Sequence, residues 1–119
     1  MWGRQEIEAY LKQRVCDNEG DDVLMFYGDL YDLVGIKNHE KVDERNYVHH
    51  ILGDISVDEH KKGRPLISVI VITQSDYKPG RGFFQLAREH LPDEYQGRDD
   101  DYIFVTEFKK LKAMKHQYC

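Results

Sequence analysis

Apolar positions along the chain recur mostly at three- and four-residue steps, the pattern of helices with one buried face. Residues 4–16 place Ile7, Tyr10, Leu11 and Val15 on one stripe. The acidic stretch DNEGDD (17–22) ends that helix at Gly20 and offers Asp22 as the next N-cap. A second helix over 23–34 turns Leu24, Tyr27, Leu30, Tyr31 and Val34 inward and stops at Gly35. A third, over 43–53, buries Tyr47, Val48, Ile51 and Leu52 and presents Arg45, Asn46, His49 and His50 outward. Ser56-Val57-Asp58-Glu59 matches a capping box, in which the hydroxyl and the carboxylate satisfy free amides, so a short helix is expected over 57–62.

The pattern changes at residue 66. LISVIVIT (66–73) is apolar on both faces apart from Ser68 and Thr73, which predicts a strand covered on both sides. A loop over 74–82 follows, where Pro79-Gly80 suits a type II turn with glycine at positive φ. Residues 83–91, with Phe83, Phe84, Ala87 and Leu91, read as a helix stopped by Pro92, and 93–101 reads as an acidic loop. A last helix over 101–116 turns Phe104, Phe108 and Leu111 inward and carries lysines 109, 110, 112 and 115 late, where the helix dipole favours them. YIFVT (102–106) has the alternative of a second strand. The run Asp99-Asp100-Asp101 reads as a helix N-terminus with favourable dipole charge rather than a metal site.

These elements in this order predict an α+β chain, winged helix-turn-helix-like, mostly helical with a small β element. The 119 residues make one domain, 1–119, and an apolar content of 40 % with eight Tyr and five Phe is enough for a packed core. A net charge of −5 argues against a non-specific polyanion binder but leaves room for a local basic face. Cys16 and Cys119 are too few for a disulfide framework and lack metal-ligand spacing, so a reducing, cytoplasmic setting is expected. No run approaches the ~18 apolar residues of a membrane span, and the N-terminus MWGRQEIEAY lacks a signal-peptide core, so no membrane partner is expected.

Two local motifs carry a resemblance. Tyr27-Gly28-Asp29-Leu30, followed by Leu33-Val34-Gly35, resembles the Tyr-Gly-Glu/Asp-Leu-Ala…Gly signature of the DNA-binding domain of O6-alkylguanine-DNA alkyltransferases. Arg64-Pro65-Leu66-Ile67-Ser68, then Val71, then Pro79-Gly80-Arg81-Gly82-Phe83-Phe84, resembles a Pro-Leu-Leu-Ser/Thr…Val-Val…Pro-Gly-x-Gly-Phe pattern of small bacterial and phage-borne proteins. Together they cover residues 27 to 84, about half the chain. The resemblance implies a winged-helix DNA-binding module of regulatory type. It does not extend to alkyl transfer, because Arg64-Pro65-Leu66-Ile67 stands where the alkyltransferases carry their Pro-Cys-His-Arg nucleophile.

The candidate chemistry follows from these placements. Arg45 and Asn46 belong to the residue types that pair with guanine and adenine edges. With Lys37, Lys41 and His49 beside them, and Lys78 and Arg81 in the loop, they form a candidate nucleic-acid surface, interrupted by Asp43, Glu44 and Asp54. Gly80, Arg81 and Gly82 precede a helix N-terminus and are a candidate anion site. His50 and Asp54, four residues apart, are candidate metal ligands without a third partner at a characteristic spacing, so no metal or other cofactor is expected. Glu59, Arg64 and Ser68 are candidate catalytic groups, but Glu59 is explained by the capping box and Ser68 lacks a nucleophile elbow. LISVIVIT also lacks the acidic and lysine residues of a metal nuclease strand. The leading expectation is a nucleic-acid-binding or regulatory module contacting DNA through helix 43–53 and the 74–82 loop. The alternative is a protein-interaction module using its acidic surface. A third reading is a small hydrolase or nucleotide-binding protein built around Glu59, Arg64 and the glycine-rich loop.

Overall fold

Ile7, Leu11 and Val15 recur at four-residue steps and are buried, so helix α1 (Arg4–Asp17) forms with this stripe against the core. The computed structural model describes residues Met1–Cys119. The second helix is shorter than its sequence pattern predicts. Val23 and Met25 are buried while Leu24 and Phe26 are only half-buried, a period of two rather than 3.6. Accordingly Gly20–Val23 is a 3-10 turn, Met25–Phe26 is a short strand β1, and α2 spans Tyr27–Val34. Gly35 ends α2 at φ 106°, where a side chain would be strained, and its N–H bonds to the carbonyls of Tyr31 and Asp32.

The two helices expected over 43–53 and 57–62 are one, α3 (Val42–Lys61). Its buried positions, Val48, Ile51, Leu52, Ile55, Ser56 and Glu59, continue a single helical stripe through Gly53-Asp54. The capping box is therefore overturned. Ser56 and Glu59 sit in the interior of α3 and face the core.

The expected strand 66–73 is overturned in most of its length. Ile67–Ile70 is a 3-10 turn, and only Val71–Ile72 forms a strand, β2. It pairs in parallel with β1, Met25 opposite Val71 and Phe26 opposite Ile72. Every residue from Pro65 to Ile72 is buried, since the segment threads between helices instead of lying in a sheet. A winged helix needs a strand hairpin after its third helix, and the one sheet here is this two-residue parallel pair. The α+β, winged-helix expectation thus gives way to a helical fold.

Beyond β2 the chain forms α4 (Arg81–His90), α5 (Pro92–Tyr95) and α6 (Asp100–Ala113), then a 3-10 turn over Lys115–Tyr118. The expected type II turn is replaced. The left-handed residue is Tyr77 (φ 55°), and Gly80 is extended as the N-cap of α4. Pro92 ends α4 and also opens α5, where its missing N–H is not needed. Tyr95, expected in an acidic loop, is fully buried. Residues 102–106 are helical, and Asp99 caps α6 by accepting the Tyr102 N–H at 2.8 Å. Phe83 and Phe84 meet edge to face, 5.3 Å between centroids, in a core of 26 residues that includes the buried stripes of α1 to α4 and α6.

Cys16 and Cys119 are joined by a disulfide across a sequence separation of 103, against the expectation of unpaired thiols. Closing a loop of about 100 residues removes unfolded-state entropy worth roughly 4–5 kcal/mol. Thermal unfolding with and without dithiothreitol should therefore show a clear drop in Tm on reduction, matched by a Cys16→Ser variant. Equal melting curves, with two thiols titrating in the unreduced native protein, would refute the bond.

Candidate functional site

Helices α3 and α4 lie side by side and run in the same direction. At one end Tyr27 touches both: its ring is 5.0 Å from that of His49, and its hydroxyl accepts the Gly80 N–H at 3.1 Å. At the other end the rings of His60 and His90 are 6.1 Å apart. Between them is a cleft of about 700 Å³. His49, His50 and Asp54 of α3 line it, with Gly80, Arg81, Gly82 and His90 from the α4 side, over a floor that includes Leu52, Val57, Phe83 and Leu86. At 1.5 Å per helical residue, Arg81 and His90 stand roughly 14 Å apart along the cleft.

The Tyr27–Gly80 hydrogen bond joins the two motifs that carry the family resemblance. They are 53 residues apart in sequence and meet here. A Cβ on Gly80 would meet the Tyr27 hydroxyl at 3.4 Å, an ordinary van der Waals contact, so the hydrogen bond does not itself require glycine. No side chain caps α4, and a Cβ on Gly82 would meet nothing within 4 Å. The first turn of α4 is thus open to a ligand, with the helix dipole directed at it. Arg81 is exposed beside that turn.

The histidine at the Tyr27 end is held in a defined state. Burial, and then the nearby Arg45 guanidinium, push the His49 imidazole below its usual range. Burial, with the neighbouring Tyr27, pushes the Tyr31 hydroxyl up to about 12. Tyr31 therefore keeps its proton at neutral pH, and its hydroxyl shares a hydrogen bond with Nε2 of His49 whose direction follows the imidazole tautomer. His50 is freer. It is largely exposed, with Nε2 3.3 Å from the Asp54 carboxylate.

The predicted site residues divide between places. His49 and Arg81 reach the cleft, together with Gly80 and Gly82. Lys37 is exposed in the loop before α3, Lys41 is the α3 N-cap, and Asn46 lies exposed on the first turns of α3. Arg45 is half-buried with its Nε unpartnered. Lys78 bonds to Asp101 at 3.0 Å, outside the cleft. His50 and Asp54 form a pair, and no group of three His, Cys, Asp or Glu side chains gathers to hold a metal.

Ser68 lies at the base of the cleft, but its N–H donates to Ser56 Oγ (3.0 Å) and its Oγ accepts from the same hydroxyl (2.7 Å). Glu59 and Arg64 do not line the cleft. Arg64 grips the buried Glu59 carboxylate with two hydrogen bonds, 2.8 and 2.7 Å, and Lys12 adds a cation at 3.5 Å. The glycine-rich loop and the Glu59–Arg64 pair are thus not assembled into one site. Tyr27 and His90 belong to the cleft although neither is among the predicted site residues; Tyr27 reads from the sequence only as a member of an apolar stripe and of the alkyltransferase-like motif.

No known protein family, no curated protein and no solved structure matches the chain.

The corrected position of Glu59 changes what its substitution should do. Burial drives its carboxyl pKa up, but the hydrogen bonds from Arg64 and the charge of Lys12 outweigh this and hold it below the usual range. Its stabilising effect is therefore complete above the unfolded-state pKa and is lost as pH falls through the folded value. Glu59→Gln leaves Arg64 facing a neutral amide and should cost about 3–5 kcal/mol at pH 7, the range for a broken buried pair. The gap between variant and wild type should narrow as the pH falls below about 4. A cost under ~1 kcal/mol in denaturant titration at pH 7 would show that the Glu59–Arg64 pair contributes little beyond its desolvation cost.

Proposed function

We propose that this chain binds nucleic acid in the cleft between α3 and α4, with a backbone phosphate at the first turn of α4 and Arg81. The carrying observation is that Arg81, at the uncapped start of α4, shares one cleft with His49 and His50 and has no carboxylate partner of its own, although the chain is net acidic. Neighbouring cations are already paired, Lys78 with Asp101 and Arg88 with Asp100. Arg81 thus keeps its charge for an incoming anion. The Tyr27 and His49 rings at the same end offer a face for a base to stack on, a sequence-tolerant mode of binding. The resemblance of the Tyr27 and Gly80 motifs to DNA-binding and phage-type proteins points the same way. The role is regulatory, and a cytoplasmic setting suits a nucleic-acid partner. There the Cys16–Cys119 bond is open to reduction.

The test is fluorescence anisotropy with labelled single-stranded and duplex oligonucleotides at two salt concentrations. Arg81→Ala should weaken binding to all sequences alike and lower the salt slope by about one unit, the mark of one lost phosphate contact. Lys78→Ala, which removes a cation already neutralised by Asp101, should change binding less. Absence of binding at low salt, where the phosphate attraction is strongest, would overturn the reading. Nucleotide binding without oligonucleotide binding would replace it with a nucleotide-binding role.

A further inference from the structure

A second concavity, of about 670 Å³, lies away from the α3–α4 cleft, between α6 and the segment that runs from the Gly20–Val23 turn into α2. Its floor is apolar, with Leu24, Phe26, Ile72 and Phe104 among its residues. Apolar surface continues onto its edges, where Val105 is 50 % and Tyr77 is 63 % exposed. The two walls carry opposite charge. Lys109 and Lys112 stand on the α6 wall, and Asp21 and Asp29 stand on the facing wall. All four are exposed.

None of these four forms an ion pair within the chain, whereas most of the neighbouring lysines do: Lys78, Lys110 and Lys115 each hold a carboxylate. Lys112 rests over the Phe108 ring at 4.4 Å, which leaves its charge free for a further partner. Arg14 also borders the groove, but its guanidinium is bonded to the carbonyls of Asp22, Val23 and Leu24. An apolar floor with one basic and one acidic rim is self-complementary under a two-fold axis. Rotating a second copy by 180° sets its acidic rim against the basic rim of the first, and the reverse contact forms at once.

We propose that this groove is the interface of a symmetric homodimer. The exposed crest of α6 around Val105 enters the groove of the other copy, and Lys109 and Lys112 face its Asp21 and Asp29. The charge pattern favours a second copy of this chain, because a partner bearing one sign of charge would satisfy one rim and be repelled by the other.

Sedimentation velocity over a concentration series should give twice the chain mass for the wild type. Lys109→Glu with Lys112→Glu makes both rims acidic and should give a monomer. Asp21→Lys with Asp29→Lys makes both rims basic and should also give a monomer. An equimolar mixture of the two variants should recover the doubled mass as a heterodimer, and the four substitutions in one chain should restore the homodimer. Circular dichroism confirms that each variant is folded. If the Asp29 change unfolds α2, Val105→Asp on the exposed face of α6 serves as the second interface probe and should give a monomer. A wild type that stays monomeric at its highest soluble concentration overturns the proposal, even if an unrelated protein binds the groove. A dimer that survives both Lys109/Lys112 reversal and Val105→Asp overturns it as well.

Discussion

The segment from Pro65 to Ile72 sets the terms for the rest of the structure, because it is buried at every residue while only Val71 and Ile72 lie in a strand. A buried backbone without a ladder must find hydrogen-bond partners elsewhere, at a cost of several kcal/mol for each group left alone. Two side chains supply them. Glu107 of α6, fully buried, accepts the Leu66 N–H at 3.0 Å, and Ser56 of α3 accepts the Ser68 N–H at 3.0 Å. Glu107 in turn takes a proton bond from the Tyr95 hydroxyl and the Lys110 ammonium at 3.0 Å. Burial, and then the Glu107 carboxylate, push the Tyr95 hydroxyl well above its usual range, so it remains a donor at every ordinary pH. A single carboxylate thereby fixes α5, α6 and the crossing segment relative to one another.

All the helices but α5 were largely legible in the sequence because each has a stripe of period 3.6 that decides which face is buried; α5, a single turn, is too short to show one. Where the sequence reading failed, polar residues did buried work that a solvent-based reading gives to caps. Ser56 and Glu59 have the spacing of a capping box, yet both lie on the inner stripe of α3, where a hydroxyl and a carboxylate serve the neighbouring segment and Arg64. Likewise LISVIVIT has the composition of a buried strand, but a strand needs neighbours, and the only extended partner nearby is Met25–Phe26. Period and composition speak for burial; the supply of partners decides the backbone. The candidate cleft was half legible. Arg81 and His49 were in view, but the meeting of Tyr27 with Gly80 depends on how α2 and the 74–82 loop pack, which no spacing encodes.

The C-terminal turn shows the same constraint with a different solution. Tyr118 is buried, yet its hydroxyl has no partner, although it lies near Glu59, Arg64 and Glu107. An unmatched buried hydroxyl costs about 1–3 kcal/mol, so the turn does not hold itself in place on polar grounds. Its Tyr118 ring packs into the core, and further ties anchor it to the end of α1. Lys115 donates to the Asn18 carbonyl at 2.9 Å and pairs with Glu19, and the disulfide joins Cys119 to the end of α1.

The ion pairs of the chain gather at its buried carboxylates and at the start of α6, and they leave many surface cations unpaired, Arg81, Lys109 and Lys112 among them. The buried carboxylates Glu59 and Glu107 are matched by Arg64, Lys12 and Lys110, and the exposed acids at the start of α6 are matched by Lys78 and Arg88. Arg81 stands beside the open N-terminus of α4, and Lys109 and Lys112 stand across an apolar groove from Asp21 and Asp29. Neither arrangement stabilises the isolated chain, since surface charges without partners contribute little and the exposed apolar floor costs hydration. The proposed partners, a phosphate at α4 and the complementary rim of a second copy at α6, would supply from outside the interactions that the isolated chain does not make. Both surfaces touch α2, through Tyr27 in the cleft and Asp29 in the groove, but they share no lining residue, so either could be filled without blocking the other.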